Sequence, residues 1–302
     1  MRLLTIDVGG TQIKHCIVEN GNCTTDVKKI PTRCDNMEEY LSTLHGIYAE
    51  YGGEVEGIAM SVPGTLDNET GFMYTGGAMS FVSNVNFASL VSSACGGVRV
   101  AIENDAKAAG LAELESGALK DANNGLVVVL GTGIGGCTIV NRQIVRGANQ
   151  FAGEFSVIIS KPQAEGFFSL WGINDSAIGL LARYAQRIGI KPTDIDGIEF
   201  FNRAENGDKA ALETLHEFCK SLCVQLLNIQ CVIDPDVIAI GGGISAAPLL
   251  HKVLHEELNA YVEEYNKSFS RLKPRLVPCK YRNEANLIGA YYNFVNIFGK
   301  RS

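Results

Sequence analysis

The chain carries no apolar run long enough to cross a bilayer. Its longest purely aliphatic stretch is Leu126-Val127-Val128-Val129-Leu130, five residues, where about twenty are needed. Basic charge is short as well: 26 Lys and Arg stand against 33 Asp and Glu, a net charge of −7, so no basic stripe is offered to a nucleic-acid backbone. No Cys-x-x-Cys occurs among the nine cysteines, and the five histidines join no such motif, so no structural zinc is expected. An odd, dispersed set of thiols suits a reducing compartment, and Cys219 and Cys223, at i and i+4 of a helical pattern, read as small buried hydrophobes. No Pro- or Ser-rich linker interrupts the chain, which predicts packed rather than tethered lobes. The opening Met1-Arg2-Leu3-Leu4-Thr5-Ile6-Asp7 meets charge and a glycine turn too early for a signal peptide. The expectation is a soluble, cytoplasmic protein with neither membrane nor nucleic acid as partner.

What the chain has in excess is glycine, 33 of 302 residues or about 11%, against a usual ~7%. The glycines cluster at 9–10, 76–77, 131–136 and 241–243, each time after or between apolar, β-rich runs. Glycine there means backbone brought close to something, or φ values that other residues resist. Residues 2–8, 12–19 and 23–30 read as strands, with Gly9-Gly10-Thr11 turning between the first two. A helical period follows from Met37 to Tyr51, then strands at Glu56–Ser61 and Val98–Ile102 and an Ala-rich helix at Ala106–Gly117. The opening pattern then returns: strand Leu126–Leu130, a glycine turn at 131–136, strand Cys137–Val140. Strand–glycine turn–strand therefore occurs twice, a weak internal repeat. Residues 176–189, 196–206, 208–231, 248–268 and 286–298 have helical patterns, and Asp236–Ile240 is a lone strand before Gly241-Gly242-Gly243.

Gly131-x-Gly133-x-x-Gly136 matches the dinucleotide fingerprint in letters, with Glu154 eighteen residues further on. Such a fingerprint must open a helix, whereas Cys137-Thr138-Ile139-Val140 is β-rich, so the reading fails on context. No GxxxxGK[ST] string exists either. A glycine turn between antiparallel strands can still present several backbone N–H groups to an anion. Ordinary tight hairpins explain either turn alone. Both turns together, with Asp7, Thr11 and Lys14 around the first, point to phosphate binding by a carboxylate for hydrated Mg²⁺, a hydroxyl and a cation. At Glu103-Asn104-Asp105-Ala106 two readings stand level. Asn and Asp are preferred N-caps; alternatively Asp105 accepts a proton from a substrate hydroxyl while Asn104 hydrogen-bonds its neighbour. A helix N-terminus weakens a carboxylate as a base, which phosphoryl transfer through a loose transition state tolerates. Glu154 is either a solvated surface acid or an acceptor for vicinal sugar hydroxyls. The glycines at 241–243 serve close strand–helix packing or let a flat base lie against bare backbone.

Taken in order, Ile6-Asp7-Val8-Gly9-Gly10-Thr11, Ser61-Val62-Pro63-Gly64, Glu103-Asn104-Asp105-Ala106, Leu130–Gly136, the stretch from Arg146-Gly147-Ala148 to Phe151-Ala152-Gly153-Glu154, and Ile233-Asp234-Pro235 with Ile240–Ser245 resemble the ROK family of sugar kinases and related repressors. The resemblance implies a two-lobe α/β fold of the actin-like ATPase (ribonuclease H-like) class, with a strand–Gly turn–strand phosphate loop in each lobe. The small lobe is expected over 1–107 plus 287–302 and the large lobe over 108–286. It further implies Asp105 as general base, Asn104 and Glu154 as sugar ligands, and the Pro63-Gly64 and Gly76-Gly77 turns (Gly64 and Gly77) beside the sugar. Asp7, Gly9, Gly10, Thr11 and Lys14 would handle phosphates and Mg²⁺, with Gly131, Thr132 and Gly133 opposite and Gly242 and Gly243 near adenosine. ATP and Mg²⁺ are the implied cofactors, a homodimer the implied assembly.

The departures from the family pattern carry information too. Many members follow the glutamate with Gly-His, a zinc ligand, and then a cysteine-rich knot; here Val157 replaces the histidine and residues 155–218 hold no cysteine. Zinc is therefore not expected. A second sugar-binding glutamate of those members aligns with Gly172 or Trp171, so the pocket by the anomeric carbon should be roomier and less polar. The resulting expectation is a kinase acting on O6 of a hexose or hexoside, a β-glucoside or disaccharide among them. A catalytically silent sugar sensor, or a kinase of an N-acylated hexosamine or fructose, is the alternative. A winged-helix repressor is disfavoured, because the phosphate-loop strand begins at residue 2.

Overall fold

The computed structural model describes residues 1–269 and 271–299. In chain order its strands are β1 (Arg2–Val8), β2 (Gln12–Glu19), β3 (Asn22–Cys23), β4 (Lys28–Pro31), β5 (Ile58–Val62), β6 (Thr65–Asp67), β7 (Phe72–Thr75), β8 (Val85–Asn86), β9 (Val100–Asn104), β10 (Gly125–Leu130), β11 (Ile134–Val140), β12 (Gln143–Ile144), β13 (Val237–Gly241) and β14 (Leu276–Pro278). The helices are α1 (Met37–Glu50), α2 (Phe87–Ala94), α3 (Asp105–Ser116), α4 (Trp171–Asn174), α5 (Ala177–Ile188), α6 (Gly197–Glu205), α7 (Lys209–Ile233), α8 (Pro248–Phe269) and α9 (Ala285–Phe298). They form two compact units. One comprises Met1–Lys120, Arg146–Ala152 and Glu284–Ser302; the other comprises Asp121–Val145 and Gly153–Asn283. Residues 300–302 of the expected 287–302 segment lie outside the described residues. Among the described residues no helix is long and apolar enough to cross a membrane.

In the first unit the strand order is β3-β2-β1-β5-β9, with β4 also on β2. Strand β1 runs antiparallel to β2 and parallel to β5. Alternation along β1 decides which side chains meet which helix. Leu4, Ile6 and Val8 enter a core with Tyr40 and Leu44 of α1 and Phe87 and Val91 of α2. Leu3 faces the other side, against Leu287, Ala290 and Phe294 of α9, and the same parity turns Asp7 toward α9. Helix α3 packs on α9 so closely that a Cβ on Gly289 would fall 1.7 Å from the Ala108 carbonyl oxygen. For that reason the unit runs on to Lys120, past the division at 107 read from sequence.

The second unit has the order β12-β11-β10-β13-β14. Strand β10 is antiparallel to β11 and parallel to β13, and β14 extends the parallel set. This repeats the β2-β1-β5-β9 arrangement of the first unit, which is the physical content of the internal repeat. Its core joins Trp171, Tyr184, Phe200, Phe218 and Leu254, and Cys219 and Cys223 are fully buried within it.

Two local expectations need correction, and one stretch goes unread. Residues 23–30 are not one strand but β3 and β4: the Thr25 hydroxyl takes the Ile17 N–H at 3.0 Å, substituting a side chain for the ladder partner. The strand read at Val98–Ile102 is shifted to Val100–Asn104, because Ser61 pairs with Glu103 and Val62 with Asn104. The small sheet β6-β7-β8 and helix α2 escape the periodicity reading, since strands of two to four residues show no alternation.

Candidate active site

The β1–β2 turn is braced from outside. The Gly9 N–H donates to the Gln12 carbonyl at 3.0 Å, and the Thr32 N–H to the Thr11 carbonyl at 3.0 Å. The Thr32 hydroxyl donates to the Gly9 carbonyl at 2.8 Å. Gly10 and Thr11 stay exposed at the tip. Below the turn, Asp7 is buried, yet both its oxygens are engaged. Lys14, its cross-strand partner on β2, approaches Oδ2 at 3.3 Å. Oδ1 accepts from the Ser61 hydroxyl at 3.1 Å and from Asn286 Nδ2 at 2.9 Å. A carboxylate so satisfied suits binding a hydrated cation through water better than direct ligation.

At the end of β9 the two readings of Asn104 meet in one side chain. Its Oδ1 caps α3, accepting from the Ala106 and Lys107 N–H groups at 3.1 and 3.2 Å. Its Nδ2 donates to the Gly64 carbonyl at 3.1 Å, leaving one amide hydrogen over. Gly64 has φ +102°, and a Cβ there would lie 2.1 Å from the Thr75 carbonyl oxygen, so only glycine fits. The Gly77 backbone sits directly against it, an added Cβ falling 3.1 Å from Gly64 N. Asp105, the first residue of α3, is half-buried, and its Oδ1 accepts from the Ala106 N–H at 2.7 Å. Asn104, Asp105, Gly64 and Gly77 are thus one cluster. Behind it, fully buried Glu103 accepts its successor's N–H at 2.8 Å and takes Arg146 in a two-pronged ion pair.

In the second unit the Gly131 N–H donates to the Gly133 carbonyl at 3.0 Å, and the Gly131 carbonyl accepts from the Ala177 N–H at 2.9 Å. Beside this turn opens a cavity of about 580 Å³, lined by Gly131, Thr132, Phe201, Asn202, Gly243 and Ile244 among others. Gly242 has φ +92°, and a Cβ on it would lie 2.3 Å from the Leu130 carbonyl oxygen, whereas one on Gly243 would meet nothing within 4 Å. The first glycine is imposed by the approach of β10; the second leaves bare backbone on the cavity wall. A slot with an apolar side and bare backbone fits a flat heterocycle. Glu154 is half-buried and precedes the 3-10 turn Phe155–Val157.

Several residues of these clusters were not singled out from sequence. Ser61 and Arg146 stand inside the matched strings, but nothing in them signals a partner. Asn286 is separated from Asp7 by 279 positions, and Phe201 and Asn202 on α6 carry no motif. Among the described residues no group of three or more His, Cys, Asp or Glu side chains is arranged to hold a metal ion.

Two units that repeat one sheet order, each with a glycine turn between its antiparallel strands, define the actin-like ATPase fold. The ROK family model matches residues 3–296, and the chain belongs to that family. It is 30% identical over 297 residues to a beta-glucoside kinase of Listeria monocytogenes, covering 98% of each chain. A beta-glucoside kinase of Klebsiella pneumoniae is 29% identical over 301 residues, covering 99% of this chain and 97% of the other. Among solved structures, a ROK family protein from Streptococcus pneumoniae in complex with sucrose superposes with a TM-score of 0.87 at 32% identity, covering 98% of both chains.

Proposed function

We propose that the chain is an ATP-dependent kinase of hexoses or hexosides, transferring the γ-phosphoryl group to a sugar hydroxyl, O6. The observation that carries this is the cluster at the start of α3, where Asn104 caps the helix through Oδ1 and turns its amide to the Gly64 carbonyl, and half-buried Asp105 follows as the first helical residue. Asp105 accepts the hydroxyl proton; Asn104, through its remaining amide hydrogen, and Glu154 bind sugar hydroxyls, and Gly64 and Gly77 form the floor beside them. A carboxylate at a helix N-terminus is a weak base, but a loose transition state asks chiefly for orientation.

Gly9, Gly10, Thr11 and Lys14 in one unit and Gly131, Thr132 and Gly133 in the other are assigned to the phosphates, and Gly242 and Gly243 to adenosine. Asp7 would hold Mg²⁺ through water, since Ser61, Asn286 and Lys14 already occupy its oxygens. Bound Mg²⁺ neutralises charge on the β- and γ-phosphates. Zinc has no part in the proposal, because Val157 offers no ligand atom where the family's histidine would stand and residues 155–218 hold no cysteine.

The substrate class follows from Val157 and from Gly172 or Trp171, where the family's sugar-side histidine and second glutamate would stand. Val157 and Gly172 present no polar side chain and Trp171 is buried in the core; the curated relatives include beta-glucoside kinases as well as N-acetyl-D-glucosamine kinases, and a structural neighbour holds sucrose. This supports a 1-substituted sugar, a β-glucoside or disaccharide, and the assembly is proposed to be a homodimer. The test is ADP release with ATP and Mg²⁺ across glucose, N-acetylglucosamine, N-acetylmannosamine, fructose, cellobiose and an aryl β-glucoside. The glycosides are expected to exceed free glucose in kcat/KM. Glucose as the better substrate would sink the hexoside refinement, and silence across the panel with sugar binding retained would indicate a sensor.

A further inference from the structure

Ser156 lies two residues beyond Glu154, inside the 3-10 turn Phe155–Val157. Its hydroxyl makes two hydrogen bonds to a single residue of another segment: Oγ accepts from the Ile134 N–H at 3.2 Å and donates to the Ile134 carbonyl at 2.9 Å. Ile134 opens β11 directly after the Gly131–Gly133 turn and pairs with Leu130 across it. A Cβ on Gly133 would come within 3.2 Å of the same Oγ, and one on Gly172 would lie 2.6 Å from Oγ and 2.9 Å from the Ser156 Cβ. One hydroxyl therefore sits where the glycine turn, the segment bearing Glu154 and the start of α4 meet. Phe155, its ring near that of Trp171 at 5.9 Å between centroids, anchors the segment in the core, so Ser156 has a fixed base from which to act.

We propose that Ser156 is a positioning residue for the nucleotide. By holding both the N–H and the carbonyl of Ile134, it fixes the return limb of the turn and hence the aim of the backbone N–H groups of Thr132 and Gly133. The role rests on the kinase reading above, which assigns that turn to ATP phosphates. Donors that are already aimed need no reorganisation when charge arrives, which is what makes preorganised N–H groups effective. The turn's own bond, Gly131 N–H to the Gly133 carbonyl, closes the loop without fixing its direction. Ile134 is 2% exposed, so water replaces a lost Ser156 bond poorly.

The test uses Ser156→Ala, which removes the hydroxyl, and Gly172→Ala, which keeps it but adds a methyl 2.6 Å from Oγ, crowding it out of place. ADP affinity is titrated calorimetrically without sugar, and the KM values for ATP and sugar and the melting temperature are measured on the full chain. Both variants are expected to bind ADP about three- to tenfold more weakly, the scale of one or two neutral hydrogen bonds. In both variants the KM for ATP should rise in parallel; in Ser156→Ala, at a residue not assigned to the sugar, the KM for sugar should move less than about twofold. Melting temperatures that fall while ADP affinity and the KM for ATP stay at wild-type values would reduce Ser156 to a brace and overturn the proposal. A variant that fails to fold leaves the other to decide. If the wild type shows no sugar-dependent turnover, the kinase reading fails, and the ADP titration still decides on Ser156.

Discussion

Arg146 grips Glu103 with both prongs of its guanidinium, Nη1 to Oε1 at 3.1 Å and Nη2 to Oε2 at 2.5 Å, and Glu103 is fully buried. The same Oε1 accepts the Asn104 N–H at 2.8 Å. Forty-three positions separate the two residues, so a loop remote in sequence fixes the strand end from which Asn104 and Asp105 project.

Removing one partner of such a pair strands a buried charge. Arg146→Met is expected to cost about 3–5 kcal/mol, read as a lowered urea midpoint, and to lower kcat by displacing Asp105. Adding Glu103→Gln to it should recover part of the stability, since the uncompensated charge is then gone. A single variant as stable as wild type would contradict the burial argument.

The two glycines at the end of β13 should behave differently although they are neighbours. Gly242→Ala meets the Leu130 carbonyl at 2.3 Å in a left-handed conformation and should cost about 2–4 kcal/mol of stability. Gly243→Val faces open space on the cavity wall. It should leave the melting temperature nearly unchanged and raise the KM for ATP severalfold. Equal effects on stability would contradict the distinction.

Asn286→Leu removes a hydrogen bond to buried Asp7 and leaves Ser61 and Lys14 in place. A bond to a charged group contributes about 1.5–3 kcal/mol, and the freed carboxylate should swing. We expect kcat to fall about tenfold at saturating Mg²⁺, with the KM for sugar unchanged. Unaltered kcat would remove Asp7 from the phosphate site.

Acid should weaken the first unit through His15. Burial holds its imidazole below the usual 6.5, Lys28 adding to the effect and Glu50 opposing it, and its Nδ1 lies 3.1 Å from the Tyr51 hydroxyl. As pH falls through 6.5 the unfolded chain takes up a proton that the folded chain refuses. Stability is therefore full above that pH and declines between it and the lower folded value. Urea midpoints at pH 7.5 and 5.5 should diverge in the wild type and converge in His15→Gln; an identical pH slope in both would contradict this.

The legible part of the molecule was its periodic part. Both strand–glycine turn–strand units, the long helices and the strand before Gly241 follow from patterns of two and of 3.6 residues. The strand carrying Glu103 and Asn104 was misplaced by two residues, since its ends are set by pairing with Ser61 and Val62 and not by its own letters. For the same reason the partners of Asp7, Glu103 and the second glycine turn were unreadable. Asn286, Arg146 and Ser156 reach them only through the fold, and Ser, Asn and Arg in isolation announce no such role. The helix start at Asn104-Asp105 was readable because such a start needs a cap, which Asn104 Oδ1 supplies and Asp105 Oδ1 joins at the Ala106 N–H.

The central claim is that Asp105 takes the proton of the attacking hydroxyl, and Asp105→Asn tests it most directly. In the variant, sugar-dependent ADP release should fall by at least about a hundredfold, the scale of a lost general base. Sugar binding, followed by thermal shift, and ADP binding, followed by calorimetry, should both persist. A variant that turns over within tenfold of wild type, with the same sugar preference, would contradict the assignment.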